Sequence, residues 1–241
     1  MRWCFLPFLL ACLLKASCAY QVVAPNPVSM SDDRRLTVAQ THILLGQWTL
    51  AKKQLDQVSS PHQNQAYWRL LGLYWLSVGN DDEALLVHKK ALAHYPLDDF
   101  ILNNYGVLLG LNGRWEDACG AFRRADKVGH PKRQSVQINL SRCGLRQKRV
   151  KLAEIHLKQA KEIDDLPLIG LMTELNLVLI QGNYDQARLI LNNIQAHKEI
   201  ARGSEHFNEY NCLSWHLSEH ETDPTLYSFA SDFTCLNGSR Y

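Results

Sequence analysis

The side chains best placed for covalent chemistry are cysteines, and they fall into an N-terminal group and a set spread through the body of the chain. Residues 1–18 combine one early cation, Arg2, with an apolar run from Trp3 to Leu14 and the small residues Ala16 and Ser17 ahead of Cys18. That layout is an export signal, and about twelve apolar residues are too few to span a bilayer as a helix. A thiol at the end of such a run can accept a diacyl lipid, which holds a protein on a membrane where a single chain does so only marginally. Three processing outcomes fit: lipidation at Cys18, behind Leu13-Leu14-Lys15-Ala16-Ser17; lipidation at Cys12, behind the tighter Leu9-Leu10-Ala11 but a shorter leader; or cleavage after Ala19 with no lipid. Residues 19–31, with Pro25 and Pro27, then read as an extended tether.

Other reactive patterns are missing. The sequence has no G-x-S-x-G, phosphate loop, dinucleotide fingerprint or H-E-x-x-H, so it is not read as an enzyme and no cofactor or small-molecule substrate is expected. Without a Cys-x-x-Cys or paired His spacing, no metal site is expected either. His42, His88 and His94 fall on helical stretches as surface or partly packed rings. Asp81-Asp82-Glu83 opens a helix, where negative charge complements the dipole and caps free amides. The densest basic stretch is Arg142, Arg146, Lys148, Arg149 and Lys151, preceded by Arg123, Arg124, Lys127, Lys132 and Arg133. It reads either as a solvated face or as an attraction for an acidic partner or anionic lipid surface. A net charge of only +2, together with the leader, argues against nucleic acid.

The elements carrying these residues repeat with a period of about 34. Gly72, Gly79, Ala84 and Ala91 recur as Gly106, Gly113, Ala118 and Ala125. Trp68, Leu71, Trp75 and Pro96 complete the first set, and Tyr105, Trp115 and Phe122 belong to the second. Small residues let two antiparallel helices approach, large ones fill the seam, and Gly79 and Gly113 sit in turns that can require positive φ. The pattern is that of a tetratricopeptide (TPR) repeat, and the expected fold is all-α, a right-handed superhelical solenoid of about six helix-turn-helix repeats. Five windows are read at 32–65, 65–98, 99–132, 134–167 and 168–201. Residues 202–241 form a degenerate sixth pair, its two apolar stretches separated by a turn at Glu219-His220-Glu221-Thr222-Asp223-Pro224 with Asp223 as N-cap. With 46% hydrophobic and 21% charged residues the chain can build the single continuous core this needs.

Counted outward from the turn near residues 132 and 133, Cys119 and Cys143 stand at nearly the same height on adjacent helices. They can form a bridge or remain buried thiols. Cys212 and Cys235 are less level about their own turn, which disfavours a second bridge. The first helix of each repeat should line a concave groove suited to a peptide or helix of a partner. By repeat position this groove includes Arg69, Leu73 and Leu76, then Phe100, Asn103 and Val107. Ile138, Arg142, Met172 and Asn176 continue it. Leu73, Leu76 and Val107 could equally pack against neighbouring helices.

The stretch Ile101-Leu102-Asn103-Asn104-Tyr105-Gly106-Val107-Leu108-Leu109, followed by Gly113-Arg114-Trp115-Glu116-Asp117-Ala118, resembles the central repeat of the type IV pilus biogenesis lipoproteins of the PilW/PilF pilotin family. His130-Pro131-Lys132-Arg133-Gln134-Ser135, Asn139-Leu140 and the leader cysteine extend the resemblance. It implies a protein that binds the outer-membrane secretin subunit and promotes its localisation and multimer assembly, without cofactor or turnover. The implied location is the periplasmic face of the outer membrane, held by lipid at Cys18; a soluble periplasmic adaptor for another envelope assembly is the alternative.

Overall fold

Eleven α-helices and a short 3-10 turn follow one another without a strand among the described residues, which in this computed structural model are 30–128, 133–195, 206–222 and 235. The leader with Cys12 and Cys18, and the Asp223-Pro224 cap, lie outside them. The helices are α1 (Asp32–Leu44), α2 (Trp48–Asp56), α3 (Gln65–Ser77), α4 (Asp81–His94), α5 (Asp99–Leu111) and α6 (Trp115–Val128). Then come α7 (Gln134–Arg146), α8 (Val150–Lys161), α9 (Leu168–Ile180), α10 (Tyr184–Gln195) and α11 (Phe207–Thr222).

Side chains fix where helices begin. Asn64, Asn80 and Asp98 each accept a hydrogen bond from the amide three residues on, capping α3, α4 and α5. At α4 the cap is therefore Asn80, and the acidic run behind it occupies the first turn, where it complements the dipole. Asp98 also ties two repeats together, because its other oxygen accepts from Gln65 Nε2 at 2.6 Å and Arg69 Nε at 2.7 Å. The turns between paired helices place Gly46, Gly79, Gly113 and Gly182 in the left-handed region. In the fourth pair Lys148 occupies that conformation, with φ 57°, where no glycine is present.

Each even helix packs on the odd helix before it and the odd helix after it, while the odd helices also touch one another in succession from α1 to α11. The odd helices are thus an inner layer and the even ones an outer layer. Close approach depends on residues without side chains. A Cβ on Gly144 would stand 2.8 Å from the backbone of Ala153, and one on Gly106 would stand 2.5 Å from the Phe122 ring. Buried residues form four core clusters along the stack, around Leu36 and Ile43, around Phe122 and Leu140, around Leu145 and Leu157, and around Leu213 and Leu217, with Leu166 packed against both of the last two.

Two disulfides are present among the described residues: Cys119–Cys143 joins α6 to α7, and Cys212–Cys235 ties α11 to a later residue. The second differs from the sequence expectation because α11 runs on to Thr222, through the stretch read as a turn, which removes the level from which heights were counted. None of the helices among the described residues is long and apolar enough to cross a membrane.

Candidate functional site: an inner-face cavity

Three successive inner helices, α5, α7 and the start of α9, line a half-open cavity of about 380 Å³ with the entry to α11. Gly106 and Gly110 expose the α5 backbone to the rings of Phe122 and Trp115, which thereby reach the wall from the outer layer. Val107, Leu111, Ile138 and Ile169 supply the remaining apolar surface. Asn103, Asn139 and Arg142 supply polar atoms from the inner helices, and His206 and Glu209 from the other side. An apolar recess with a few fixed polar groups is the usual form of a binding site.

Those polar groups are held by one another. Asn139 Nδ2 donates to Asn103 Oδ1 at 3.0 Å, so α5 and α7 present two carboxamides as a pair. Arg142 makes a fork to Glu209 at 2.8 and 2.9 Å, and both side chains are about one-tenth exposed. A bidentate pair this buried fixes the position of α11 against α7. One helical turn on, the Arg146 guanidinium lies 4.5 Å from the centre of the Trp115 ring. Its pKa is lowered by burial and then by the neighbouring charge of Arg142.

The structure brings Asn103, Val107, Ile138 and Arg142 together in this cavity, with Ile138 as floor. Arg69 and Phe100 lie further along, where the guanidiniums of Arg69 and Arg133 flank the Phe100 ring at 5.9 and 5.7 Å. Leu73 packs against the first core cluster, and Leu76 is half-buried. Met172 and Asn176 are placed differently: both are fully buried, Met172 in the cluster that includes Leu213 and Leu217 of α11. The physical reason is that α11 lies on α9 and covers side chains which would face an open groove. Arg142 likewise leaves the exposed basic stretch, since Glu209 neutralises it.

Repeat spacing could not reveal Glu209 or His206, which come from the degenerate C-terminal segment. The available signal was a carboxylate in the first turn of α11. Trp115 and Phe122 were legible as seam residues, but their reaching the cavity wall past Gly106 and Gly110 was not.

One arrangement elsewhere has the residue types of a hydrolytic relay. Asp32 Oδ2 accepts from Ser59 Oγ and pairs with His62 Nδ1, each at 2.6 Å. A relay places the histidine between acid and nucleophile, using both ring nitrogens. Here serine and histidine converge on one carboxylate oxygen, and the His62 nitrogen facing Ser59 is the same Nδ1. The Ser59 hydrogen bond is the main cause of the lowered Asp32 pKa, so the cluster ties α1 to the turn after α2.

No protein-family model matches the chain, and no curated protein matches it. Solved structures do. The Pseudomonas aeruginosa protein pilF superposes with TM-score 0.60 at 20% identity, covering 83% of this chain and 88% of that one. PilW, described as a widely conserved type IV pilus biogenesis factor, gives 0.62 at 18%, covering 86% and 97%. A thermophilic TPR protein of Thermus thermophilus gives 0.59 at 18%, covering 78% and 100%. At these identities the likeness is one of fold: the chain is an all-α TPR solenoid.

Proposed function

We propose that this chain is a type IV pilus assembly factor that holds a segment of the outer-membrane secretin subunit against its inner face and promotes secretin localisation and multimer assembly. The observation that carries the reading is the cavity between α5, α7 and α9, whose apolar walls and paired carboxamides suit a polypeptide segment with a large apolar side chain. Asn103 and Asn139 can bond a partner's backbone, while Val107, Ile138 and the two aromatic rings enclose the side chain. Further support comes from the two pilus-related proteins among the structures of similar fold, one of them named as a biogenesis factor. Lipid at Cys18, with Cys12 as the alternative acceptor, would place the groove at the periplasmic face of the outer membrane. The work asked of the site is capture and release, which needs no bond to be made or broken.

The test is membrane fractionation of a deletion strain complemented with wild type, Cys18→Ser or Val107→Arg, scoring detergent-resistant secretin multimers in the outer membrane. The expected result is loss of outer-membrane multimers in the deletion and in both variants, with Val107→Arg still folded and exported. Unchanged multimers in the deletion would remove the secretin role and favour a periplasmic adaptor for another envelope assembly. Loss in the deletion with full rescue by Cys18→Ser would keep the partner and discard that anchor.

A further inference from the structure

Cys212 and His216 stand four residues apart on α11, hence on one face, and Cys235 closes the group from outside the helix. One ligand atom from each of the three lies within 4.8 Å of the other two. From this geometry we propose that Cys212, His216 and Cys235 form a redox-gated site for a divalent cation of the zinc class, closed while the Cys212–Cys235 bridge is intact and opened by its reduction.

Two thiolates and an imidazole are the donors that zinc prefers, and three protein ligands leave a fourth position for water. The opening step balances simply. A dithiol reductant attacks the Cys212–Cys235 bond and leaves as its own cyclic disulfide, having supplied two electrons and two protons to give two thiols. Binding then displaces both thiol protons, while His216 enters as the neutral ring.

The helix bearing two ligands has contacts besides the bridge. Leu213 and Leu217 of α11 are buried in the core cluster of α9 and α10, and Glu209 holds Arg142. The other disulfide makes the contrast. Both pairs pack in core clusters, Cys119 and Cys143 with Phe122 and Leu140, Cys235 with Leu213 and Leu217, but among the described residues a histidine is grouped only with the second.

The test uses the full mature chain, reduced with a dithiol and freed of it under anaerobic conditions, then titrated with Zn²⁺ and separately with Co²⁺ as an optical probe. The reduced chain should take up one ion, release two protons and give a thiolate-to-cobalt absorption band; the oxidised chain should do none of these. His216→Gln and Cys235→Ser should each weaken uptake by more than the roughly 10–100-fold that follows loss of a mere supporting group. The proposal is overturned if the reduced, helical chain takes up no zinc, or if either variant binds as tightly as wild type. Helical circular dichroism is recorded throughout, and a reduced chain that unfolds and is not restored by zinc would also overturn it.

Discussion

Helices α5 and α9 hold the same place in their repeats and both reach the cavity, yet Val107 of α5 faces it while Met172 and Asn176 of α9, beyond Ile169 at its edge, lie inside the protein. Counted from the start of each helix, Asn103 corresponds to Met172 and Val107 to Asn176. Val107 remains half-buried beside open space, whereas Met172 and Asn176 have no exposure. What differs is the following inner helix. Helix α7 takes its regular place beside α5, while α11 covers α9 with Leu213 and Leu217 and extends Glu209 back to α7. Repeat position therefore specifies the direction of a side chain, and the next element decides whether that direction is solvent or core.

The Arg142–Glu209 fork joins α7 to the helix that covers α9. Arg142→Met leaves Glu209 buried without its partner and should cost about 3–5 kcal/mol, the scale for one member of a buried pair. Urea denaturation would measure it, and adding Glu209→Leu should recover most of the loss. A single substitution costing under about 1 kcal/mol would mean the fork does not hold α11 in place. Next in size, Met172→Ala should destabilise by about 2–3 kcal/mol, towards the lower end for such core truncations. Val107→Arg at the cavity wall should cost less than about 1 kcal/mol. Equal losses at the two sites would erase the distinction between α5 and α9.

Much of this architecture was legible because each repeat position has one dominant physical demand. Gly79 and Gly113 read as turn residues because few others tolerate the left-handed backbone, and both adopt it. Pro96 follows the end of α4, and Ala84, Ala91, Ala118 and Ala125 are fully buried at the seams. Lys148 shows where that reading stops, since the fourth pair makes the same turn without the residue that signals it. The site was less legible. Asn103, Val107, Ile138 and Arg142 could be placed by period alone, but the closing wall of His206 and Glu209 follows no period. Nor does a one-dimensional spacing rule find Cys212, His216 and Cys235, because the third ligand is joined to the first two only by folding.

Substitution of Asn176 should act with the opposite sign. Its carboxamide is fully buried, and neither its oxygen nor its nitrogen has a hydrogen-bond partner among the described residues. At the open position held by Val107 such a group would face solvent, whereas a buried carboxamide without a protein partner carries a desolvation cost. Asn176→Leu, similar in volume, should stabilise the chain by about 1–2 kcal/mol, on the scale of an unsatisfied buried polar group. A loss of stability would show that the carboxamide is partnered, and that α9 is less tightly covered than Met172 implies.

The smallest effect expected concerns burial beneath α3 and α5, away from the cap. His88 of α4 lies under Gly72, its ring 6.2 Å from that of Tyr105, and its Nδ1 is 2.7 Å from the carbonyl oxygen of Ala84. Burial lowers its pKa, only partly opposed by the Ala84 hydrogen bond, so the folded chain favours the neutral ring. The unfolded chain takes up the proton first as pH falls through the ordinary value of 6.5. Stability attributable to His88 is therefore fully present above that value and declines below it, until the folded protein also protonates. Urea midpoints on either side of 6.5 should differ more in wild type than in His88→Phe, which keeps a ring against Tyr105 without a titrating group. An unchanged pH slope in the variant would mean His88 is hydrated in solution, and that burial at the α3–α5 junction is looser than burial beneath α11.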